Sequence, residues 1–302
     1  MTKLTIGLPV YNGGPSLARS LDRLRAQTFR DFTLIINDNA STDETSEIAA
    51  RYCALDARIR YRRNAENVSW YDNFRIVLMQ ADSPYFMWAT HDDLWEPRFA
   101  EANIALLDLH PEAVCSVSRI AYFSDDGTEQ IAPDTAPLTG PPHERLHRFL
   151  MDIYSCGRLY GVYRTDVLQA CFPEGLHIAS ADWLAVALTL LVGDHLEVPE
   201  VLLRREAQSP GHYVRRFGRI DRFEPTWGDW LVPLRRFNAE LKWRAPPEVW
   251  KAIRPALVYL NIQQSLIVQS TFVPVLKPPL RAVRFLIDKF ILRRRDPDPC
   301  RS

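Results

Sequence analysis

A chain of 302 residues, 47% of them hydrophobic, can form one large domain or a core domain with a smaller appendage. Lysine plus arginine and aspartate plus glutamate both number 37, so no overall charge favours nucleic acid as a partner. The sequence shows no signal peptide and no apolar stretch near the roughly 20 residues that span a bilayer, which predicts a cytoplasmic protein. Its five cysteines include no Cys-x-x-Cys pair, so neither a disulfide framework nor a structural zinc site is expected.

Strand-like and helix-like segments alternate over the first 110 residues. The predicted strands occupy residues 4–10, 33–36 and 58–61 and the apolar run that starts at Tyr85. The predicted helices run from Pro15 to about Leu24, from a capping box at Ser41 and Glu44 to about Tyr52, from Trp70 to Met79, and from Pro97 to about Leu109. This alternation predicts an α/β fold with a parallel, doubly wound sheet, whose loops at the carboxyl ends of the strands line one crevice.

The fourth strand ends abruptly in acidic residues. The apolar run from Tyr85 leads into His91, Asp92 and Asp93. Carboxylates at such a strand end are well placed to hold a divalent cation. They are also well placed to cap the helix that is predicted to start near Pro97, because short acidic side chains satisfy free backbone N–H groups. On this stretch alone, the cap and the metal site are equally good interpretations.

The pattern changes in the second half of the chain. A strand over 114–123 is followed by a turn at 125–127 and a second, antiparallel strand, and four prolines between 133 and 142 indicate a surface loop. Further predicted elements are a helix over 144–154, a strand over 159–164, an apolar helix ending near Val192 and a strand over 201–206. Beyond about residue 215, tryptophans and helix-breaking prolines predict a helical extension, so the domains are expected at 1–215 and 216–302.

Five motifs, in order and in register over about residues 3–210, resemble those of the inverting glycosyltransferases of family 2. These motifs lie at 8–13, 27–29, 37–45, 91–97 and 181–183. The resemblance implies the GT-A fold, a mainly parallel mixed sheet flanked by helices. It also implies transfer of a sugar from a nucleotide donor with inversion at the anomeric carbon, commonly with Mg²⁺ or Mn²⁺.

The resemblance assigns a nucleotide-sugar site to the loops after the first three strands. Asp38 matches the position that contacts uracil or thymine, which implies a UDP- or dTDP-sugar donor, and Pro9, Tyr11 and Asn12 match the loop that lines the base. Asn67, with Arg63 and Asn64 nearby, matches a loop near the nucleotide. The alternatives are that Asp38 only shapes a turn and that the later loop is an ordinary solvated one.

In the acidic motif, the resemblance matches Asp93 to the metal-bridging position and Asp92 to the position near the ribose or a metal-bound water. His91 stands where the family usually has its first carboxylate, and a hydrogen-bonding neighbour is its simpler role. His212 lies where many relatives place a further metal or pyrophosphate ligand, and an exposed surface histidine is an equally good interpretation.

Asp182 matches the general base of the family, which takes the proton of the acceptor hydroxyl. Its alternative role is to cap the apolar helix that follows it. Ala181 replaces a carboxylate that relatives often have, and Trp183 is expected to pack rather than to stack on a sugar. The Gln-x-x-Arg-Trp motif of processive members is absent, so we expect one sugar to be added to a glycan or a lipid-linked acceptor, as in the synthesis of cell-envelope polysaccharide.

Two other functions remain compatible with the sequence. One is a catalytically silent nucleotide-sugar-binding protein. The other is a sugar nucleotidyltransferase of related fold, although the loop after the first strand has no lysine or arginine for a triphosphate. The chain end, residues 279–295, predicts a basic amphipathic helix that either contacts an anionic membrane surface peripherally or packs on the core or on another subunit.

Overall fold

A computed structural model describes residues 2–124, 127–153, 156–206 and 224–272, with side chains up to residue 268. In these residues the chain forms a nine-stranded mixed sheet flanked by helices. The strands are β1 (Leu4–Val10), β2 (Phe32–Asp38), β3 (Ile59–Arg63), β4 (Tyr85–Trp88), β5 (Leu94–Trp95), β6 (Ala113–Phe123), β7 (Glu129–Ile131), β8 (Val162–Arg164) and β9 (Asp194–Glu206). The α-helices are α1 (Gly14–Arg25), α2 (Thr45–Leu55), α3 (Trp70–Leu78), α4 (Phe99–Leu109), α5 (Pro142–Met151), α6 (Thr165–Ala170), α7 (Ala181–Val192), α8 (Trp227–Leu231), α9 (Arg235–Arg244) and α10 (Pro247–Phe272).

The first four strands form the predicted parallel half of the sheet, in the order β3-β2-β1-β4. Their register aligns Val10 with Asp38 and Asp38 with Arg63. Because parallel strands all end at the same edge, the loops that follow β1, β2, β3 and β4 are gathered there.

The second half of the sheet is largely antiparallel. Strand β8 runs antiparallel to both β4 and β6, and β7 runs antiparallel to β6 as the turn signal predicted. The long strand β9 is parallel to β6 and antiparallel to the short strand β5. The predicted mixed α/β architecture is therefore confirmed.

Alternating side chains of the central strands enter two hydrophobic clusters, one on each face of the sheet. On β4, Phe86 and Trp88 belong to the cluster formed with α3, α5 and α7, whereas Tyr85 and Met87 belong to the cluster formed with α1, α2 and α4. The apolar helix α7 is buried on almost all sides, as expected for a helix without a polar face.

The helical extension packs on the first of these clusters. Phe237 and Leu241 of α9 and Ile253 of α10 are buried together with side chains of α5 and α7. None of the helices in the described ranges is long and apolar enough to cross a bilayer. The domain boundary near residue 215 and the basic segment 279–295 lie outside the described residues, so both stay predictions.

Two local predictions are wrong. The strand predicted over 159–164 begins only at Val162, because residues Gly157–Tyr160 form a 3-10 helix. Directly after this helix the backbone passes close to β6, since a Cβ on Gly161 would lie 2.8 Å from the Ser116 carbonyl oxygen. Ser41 and Glu44 form no capping box, since the Ser41 hydroxyl instead accepts the Asn12 backbone N–H at 2.9 Å. In both cases a contact with a distant segment decides the local conformation.

Candidate active site

The predicted site residues of the first half lie in loops at the carboxyl edge of the parallel strands. This is the edge at which open α/β sheets bind ligands. A cavity of about 580 Å³ lies at the opposite edge, beside Lys3 and Pro84, and none of the predicted site residues lines it. The predicted site residues therefore lie away from this cavity, at the carboxyl edge.

Asp38, the last residue of β2, is completely buried. Its Oδ1 accepts the Ser41 backbone N–H at 2.8 Å, and its Oδ2 accepts the Tyr61 hydroxyl at 2.7 Å and Arg63 Nη1 at 3.0 Å. Burial and the hydrogen bond to Asp38 raise the pKa of Tyr61 to about 12, so the hydroxyl remains a donor at neutral pH. The Arg63 side chain, 44% exposed, is the member of this cluster that reaches solvent.

The loop after β1 is tied to the loop after β2 through Asn12. The backbone of Asn12 is left-handed, with φ of 50°, and its Oδ1 accepts the Thr42 backbone N–H at 2.9 Å. Pro9 is buried within β1, whereas the Tyr11 side chain is 48% exposed. The aromatic ring of Tyr11 is therefore accessible to solvent at the carboxyl edge of the sheet.

An amide network joins the end of β2 to the loop after β3 and to α3. Asn37 Nδ2 donates to Asn73 Oδ1 at 2.6 Å and to Asn64 Oδ1 at 3.1 Å. Asn64 Nδ2 donates to Asn39 Oδ1 at 2.9 Å, and Asn67 Nδ2 donates to the Asn39 carbonyl at 3.1 Å. The predicted residue Asn67 thus holds the loop in place from its exposed end. Asn37 and Asn73 are buried at the other end of the network, and no pattern in the sequence predicts that they hold these loops together.

Asn73→Ala should lower the free energy of unfolding by about 1–3 kcal/mol, because the buried amide of Asn37 and the half-buried amide of Asn64 each lose one of their two acceptors. Urea unfolding monitored by circular dichroism measures this loss. Asn67→Ala is the matched control at the exposed end of the network, with an expected loss within about 0.5 kcal/mol. Equal losses for the two variants would contradict the role of the buried network.

Asp93 is 3% exposed and lies just before β5. Its Oδ1 accepts Arg205 Nε at 2.9 Å, its Oδ2 is buried without a well-formed hydrogen bond among the described residues, and the hydroxyl of Thr90 is close enough to the carboxylate to lower its pKa. Burial raises the pKa of Asp93, and the positive charge of Arg205 acts in the opposite direction. The alternative role, a cap of the next helix, does not apply, because α4 begins at Phe99 with Arg98 at its N-cap position.

Asp93 Oδ2 is a carboxylate oxygen of the kind that binds a divalent cation, but it is enclosed and its carboxylate is already paired with Arg205, so the described residues around it do not form a complete cation site. Asp92 is exposed beside it, and the half-buried His91 lies against the loop after β1, with its Cγ 3.6 Å from the position of a Cβ on Gly13. No three histidine, cysteine or acidic side chains come together as a metal site within the described ranges. His212, the second predicted ligand, lies outside these ranges.

Asp182 lies in the first turn of α7, and Ser180 occupies the N-cap position. Burial raises the pKa of Asp182 to about 6, partly offset by the backbone N–H groups of Trp183 and of Asp182 itself. A carboxylate with this pKa loses its proton near neutral pH and remains basic enough to accept another, as a general base requires. Trp183 is buried, as expected for a packing role.

The 3-10 helix Gly157–Tyr160 connects a residue near Asp93 with a residue near Asp182. At one end, Tyr160 stacks under the guanidinium of Arg205, which pairs with Asp93. At the other end, burial and then the nearby charge of Asp182 raise the pKa of the Cys156 thiol. Neither Arg205 nor Tyr160 was predicted from the sequence, and no pattern in the chain marks them.

Comparison with known proteins identifies the family. The sequence profile described as "Glycosyl transferase family 2" matches residues 5–172, more than half of the chain. The putative glycosyltransferase EpsE of Bacillus subtilis is 32% identical over 109 residues, which cover 36% of this chain and 39% of EpsE. An uncharacterized glycosyltransferase of Rickettsia typhi is 32% identical over 105 residues, covering 35% of this chain and 32% of the relative. The chain thus spans less than half the length of these curated relatives.

Solved structures share the fold at low identity. The mannosyltransferase PcManGT of Pyrobaculum calidifontis, solved in complex with GDP-Man and Mn²⁺, aligns with a TM-score of 0.60 at 15% identity over 96% of this chain and 81% of its own. Residues 1–349 of Staphylococcus aureus TarS, solved with UDP-GlcNAc, align with a TM-score of 0.55 at 18% identity over 95% of this chain and 88% of their own. With the GT-A fold shared and the profile matched over more than half of its length, the chain belongs to glycosyl transferase family 2.

Proposed function

We propose that this chain is a glycosyltransferase, which transfers a single sugar, with inversion, from a UDP- or dTDP-sugar to a hydroxyl of a glycan or lipid-linked acceptor. The observation that carries this proposal is the state of Asp182, a carboxylate at the start of a buried helix with a pKa raised to about 6. An inverting displacement needs one such group, because the acceptor oxygen must lose its proton as it attacks.

In the proposed reaction, Asp182 accepts the proton of the acceptor hydroxyl. The oxygen then forms a bond to the anomeric carbon from the side opposite the nucleoside diphosphate, and the bond from that carbon to the diphosphate breaks. Asp182 holds the proton at the end of this step, while the sugar is linked to the acceptor with inverted configuration.

The donor would be bound by the loops after β1, β2 and β3, with Asp92 near its ribose. Tyr11 offers an exposed ring for the base, and Pro9, Asn12 and Asn67 shape the surrounding loops. Uracil and thymine present a ring N–H that Asp38 would accept. For this contact one of the two donors on Asp38 Oδ2 has to give way, and Arg63 is the exposed one.

Asp93 Oδ2, together with His212, would hold Mg²⁺ or Mn²⁺. The cation, when bound, stabilises the negative charge that develops on the leaving diphosphate. The solved structure of PcManGT, which shares the fold and holds Mn²⁺, supports a divalent cation in the reaction.

A panel of UDP-, dTDP- and GDP-sugars, titrated with and without Mn²⁺ by isothermal calorimetry, tests the donor and the cation together. We expect uridine or thymidine donors to bind more tightly when Mn²⁺ is present. Preference for GDP-sugars would overturn the donor assignment, and binding that ignores Mn²⁺ would overturn the metal site. Binding without hydrolysis or transfer would instead favour a silent binding protein.

The acceptor class is tested by presenting the same saccharide in solution and on vesicles of anionic lipid. Faster transfer on vesicles is the result expected for a lipid-linked acceptor, since residues 280–302 contain seven lysines and arginines but only three aspartates. Equal rates in the two forms would remove both the membrane contact and the preference for a lipid-linked acceptor.

A further inference from the structure

Two tryptophans of the helical extension are the most exposed large apolar side chains among the described residues. Trp227, at the start of α8, is 87% exposed, and Trp243, near the end of α9, is 80% exposed. Leu231 lies four residues after Trp227, so it shares one side of α8 with that ring, and it is also exposed. Because tryptophan is on average a well-buried residue, this exposure indicates a surface that binds a partner.

Helix α9 has a buried side and a basic, exposed side. Phe237 and Leu241, four residues apart, are buried in the hydrophobic cluster that contains α7. Arg235, Lys242 and Trp243 are exposed on the other side. Arg235 and Lys242 are seven residues apart, which is about two helical turns, so they lie on the same side of the helix.

Arg235 connects the exposed sides of α8 and α9. Its Nη2 donates to Thr226 Oγ1 at 3.0 Å and its Nε donates to Asp229 Oδ1 at 3.2 Å, while a Cβ on Gly228 would lie 3.2 Å from the same Nε. Since Thr226 and Gly228 flank Trp227, the guanidinium and the indole are neighbours. Together the two helices form one surface, the α8–α9 face, made of Trp227, Leu231, Arg235, Lys242 and Trp243.

The end of α9 that carries Trp243 lies towards the edge of the sheet where the predicted site residues are found. Arg244, whose guanidinium carbon is 4.9 Å from the ring centre of Trp243, is also close to Tyr71. Burial raises the pKa of Tyr71, and the nearby charges of Arg75 and Arg244 act in the opposite direction. Tyr71 is in the first turn of α3, which directly follows the loop after β3. The α8–α9 face therefore extends to the carboxyl edge.

Charge is divided unevenly between the two parts of the chain. Residues 216–302 contain 17 lysines and arginines but only eight aspartates and glutamates, whereas residues 1–215 contain 20 and 29. At the α8–α9 face, the acidic residue Asp229 is completely buried and is paired with both Arg235 and Arg236. Glu240 is paired with Arg244. An extension with this excess of positive charge favours an anionic partner.

We propose that the α8–α9 face binds peripherally to an anionic lipid surface, with Trp227 and Trp243 at the level of the headgroups. Indole rings favour this level because they are apolar and carry one polar N–H. Lysines and arginines close to the surface add attraction to anionic headgroups. The inference goes beyond the proposed function, since the face is separate from the reacting groups and binds lipid whether or not the acceptor is lipid-linked.

Three other occupants fit these observations less well. In a two-fold dimer centred on this face, the basic residues of both copies would meet, and like charges repel. The basic segment 279–295 of the same chain has the same sign of charge as the face. A nucleic acid would match the charge, but the exposed aliphatic side chain of Leu231 gains more from lipid than from a phosphate backbone.

The experiment measures the partition coefficient of the full chain by co-sedimentation with two kinds of vesicle, phosphatidylcholine alone and phosphatidylcholine mixed with phosphatidylglycerol. The wild type should bind the anionic vesicles more tightly than the neutral ones. The double variant Trp227→Ala with Trp243→Ala should lose about 10-fold or more in binding to anionic vesicles, as expected when large apolar side chains are no longer buried. Lys242→Glu should lose about 5-fold or more, because each basic residue near the surface contributes about that factor.

Matched controls lie on the opposite face of the sheet, where α1 and α4 pack on the other hydrophobic cluster. Leu109→Ala removes an apolar side chain that is 76% exposed, and Arg19→Glu reverses an exposed charge. Neither should change the partition coefficient. Thermal unfolding verifies that each variant is folded, and Lys242→Glu decides the question if the double tryptophan variant is not.

Several results would overturn the inference. Unchanged binding of the folded double tryptophan variant, which keeps the basic segment 279–295, would assign any lipid binding to that segment instead. Equal binding to neutral and anionic vesicles would exclude an anionic partner. A dimer in sedimentation velocity that dissociates in the double variant would assign the face to a second copy, and tighter binding to a short DNA duplex than to anionic vesicles would assign it to a nucleic acid. None of these measurements uses a donor sugar, an acceptor or a cation, so their outcome is independent of the proposed transfer reaction.

Discussion

Asp182→Asn should lower kcat for sugar transfer by about 10²–10⁴-fold, the contribution of a positioned general base, while donor affinity stays close to that of the wild type. Asparagine keeps the size and the hydrogen-bonding reach of the side chain at the start of α7 but cannot accept the acceptor proton. Initial rates and donor titrations on the same preparation separate the two quantities.

The pH dependence gives this prediction a second readout. Because the pKa of Asp182 is raised to about 6, the base is protonated and inactive below this pH, and kcat/KM should rise about tenfold per pH unit up to about pH 6 and then level off. The rising limb should vanish in Asp182→Asn. Asp166→Asn, at the matching exposed position in the first turn of α6, is the control and should retain both rate and profile. Near-wild-type turnover of Asp182→Asn would remove Asp182 from its role.

Asp93→Asn should abolish the effect of Mn²⁺ on donor binding and lower transfer by about 10²-fold or more, since a bound cation contributes several kcal/mol of charge stabilisation. Donor titration with and without Mn²⁺ measures the first effect, and initial rates at saturating Mn²⁺ measure the second. A variant that still binds the donor more tightly with Mn²⁺ would contradict the assignment of Asp93.

Asp93→Asn also leaves the charge of Arg205 buried without its partner. Breaking a buried ion pair on one side typically costs about 3–5 kcal/mol, so a loss of activity could simply reflect unfolding. The double variant Asp93→Asn with Arg205→Met removes both charges and should regain much of this stability without regaining the response to Mn²⁺. Urea unfolding of the single and double variants therefore separates the loss of the site from the loss of the fold.

The parallel half of the fold could be predicted from the sequence because its signals are local. Buried strands such as Leu4–Val10 are continuous apolar runs, and the intervening helices carry their apolar residues at helical spacing. The predicted boundaries lie within a few residues of the observed ones in this half. The strand predicted at 159–164 failed because Leu159 is a buried apolar residue of the 3-10 helix, and an apolar residue at one position does not distinguish a strand from a 3-10 helix.

The candidate site was predictable to the extent that its residues follow strands or precede helices. Asp38, Asp93 and Asp182 lie at such positions, and the motifs around them are short and contiguous. Their partners are not contiguous. Tyr61 and Arg63 reach Asp38 through the register of β2 and β3, and Arg205 reaches Asp93 through the register of β5 and β9.

The sequence by itself determined the family, the α/β class and the carboxylates on which the proposed chemistry depends, because each is recorded in residues that are close together in the chain. Only the tertiary structure decided that Asp38 is completely enclosed by its partners, that one oxygen of Asp93 is engaged by Arg205 and the other is not, and that burial raises the pKa of Asp182 to about 6. The physical reason is that burial and ion pairing depend on which distant segments meet, and no local pattern specifies that meeting.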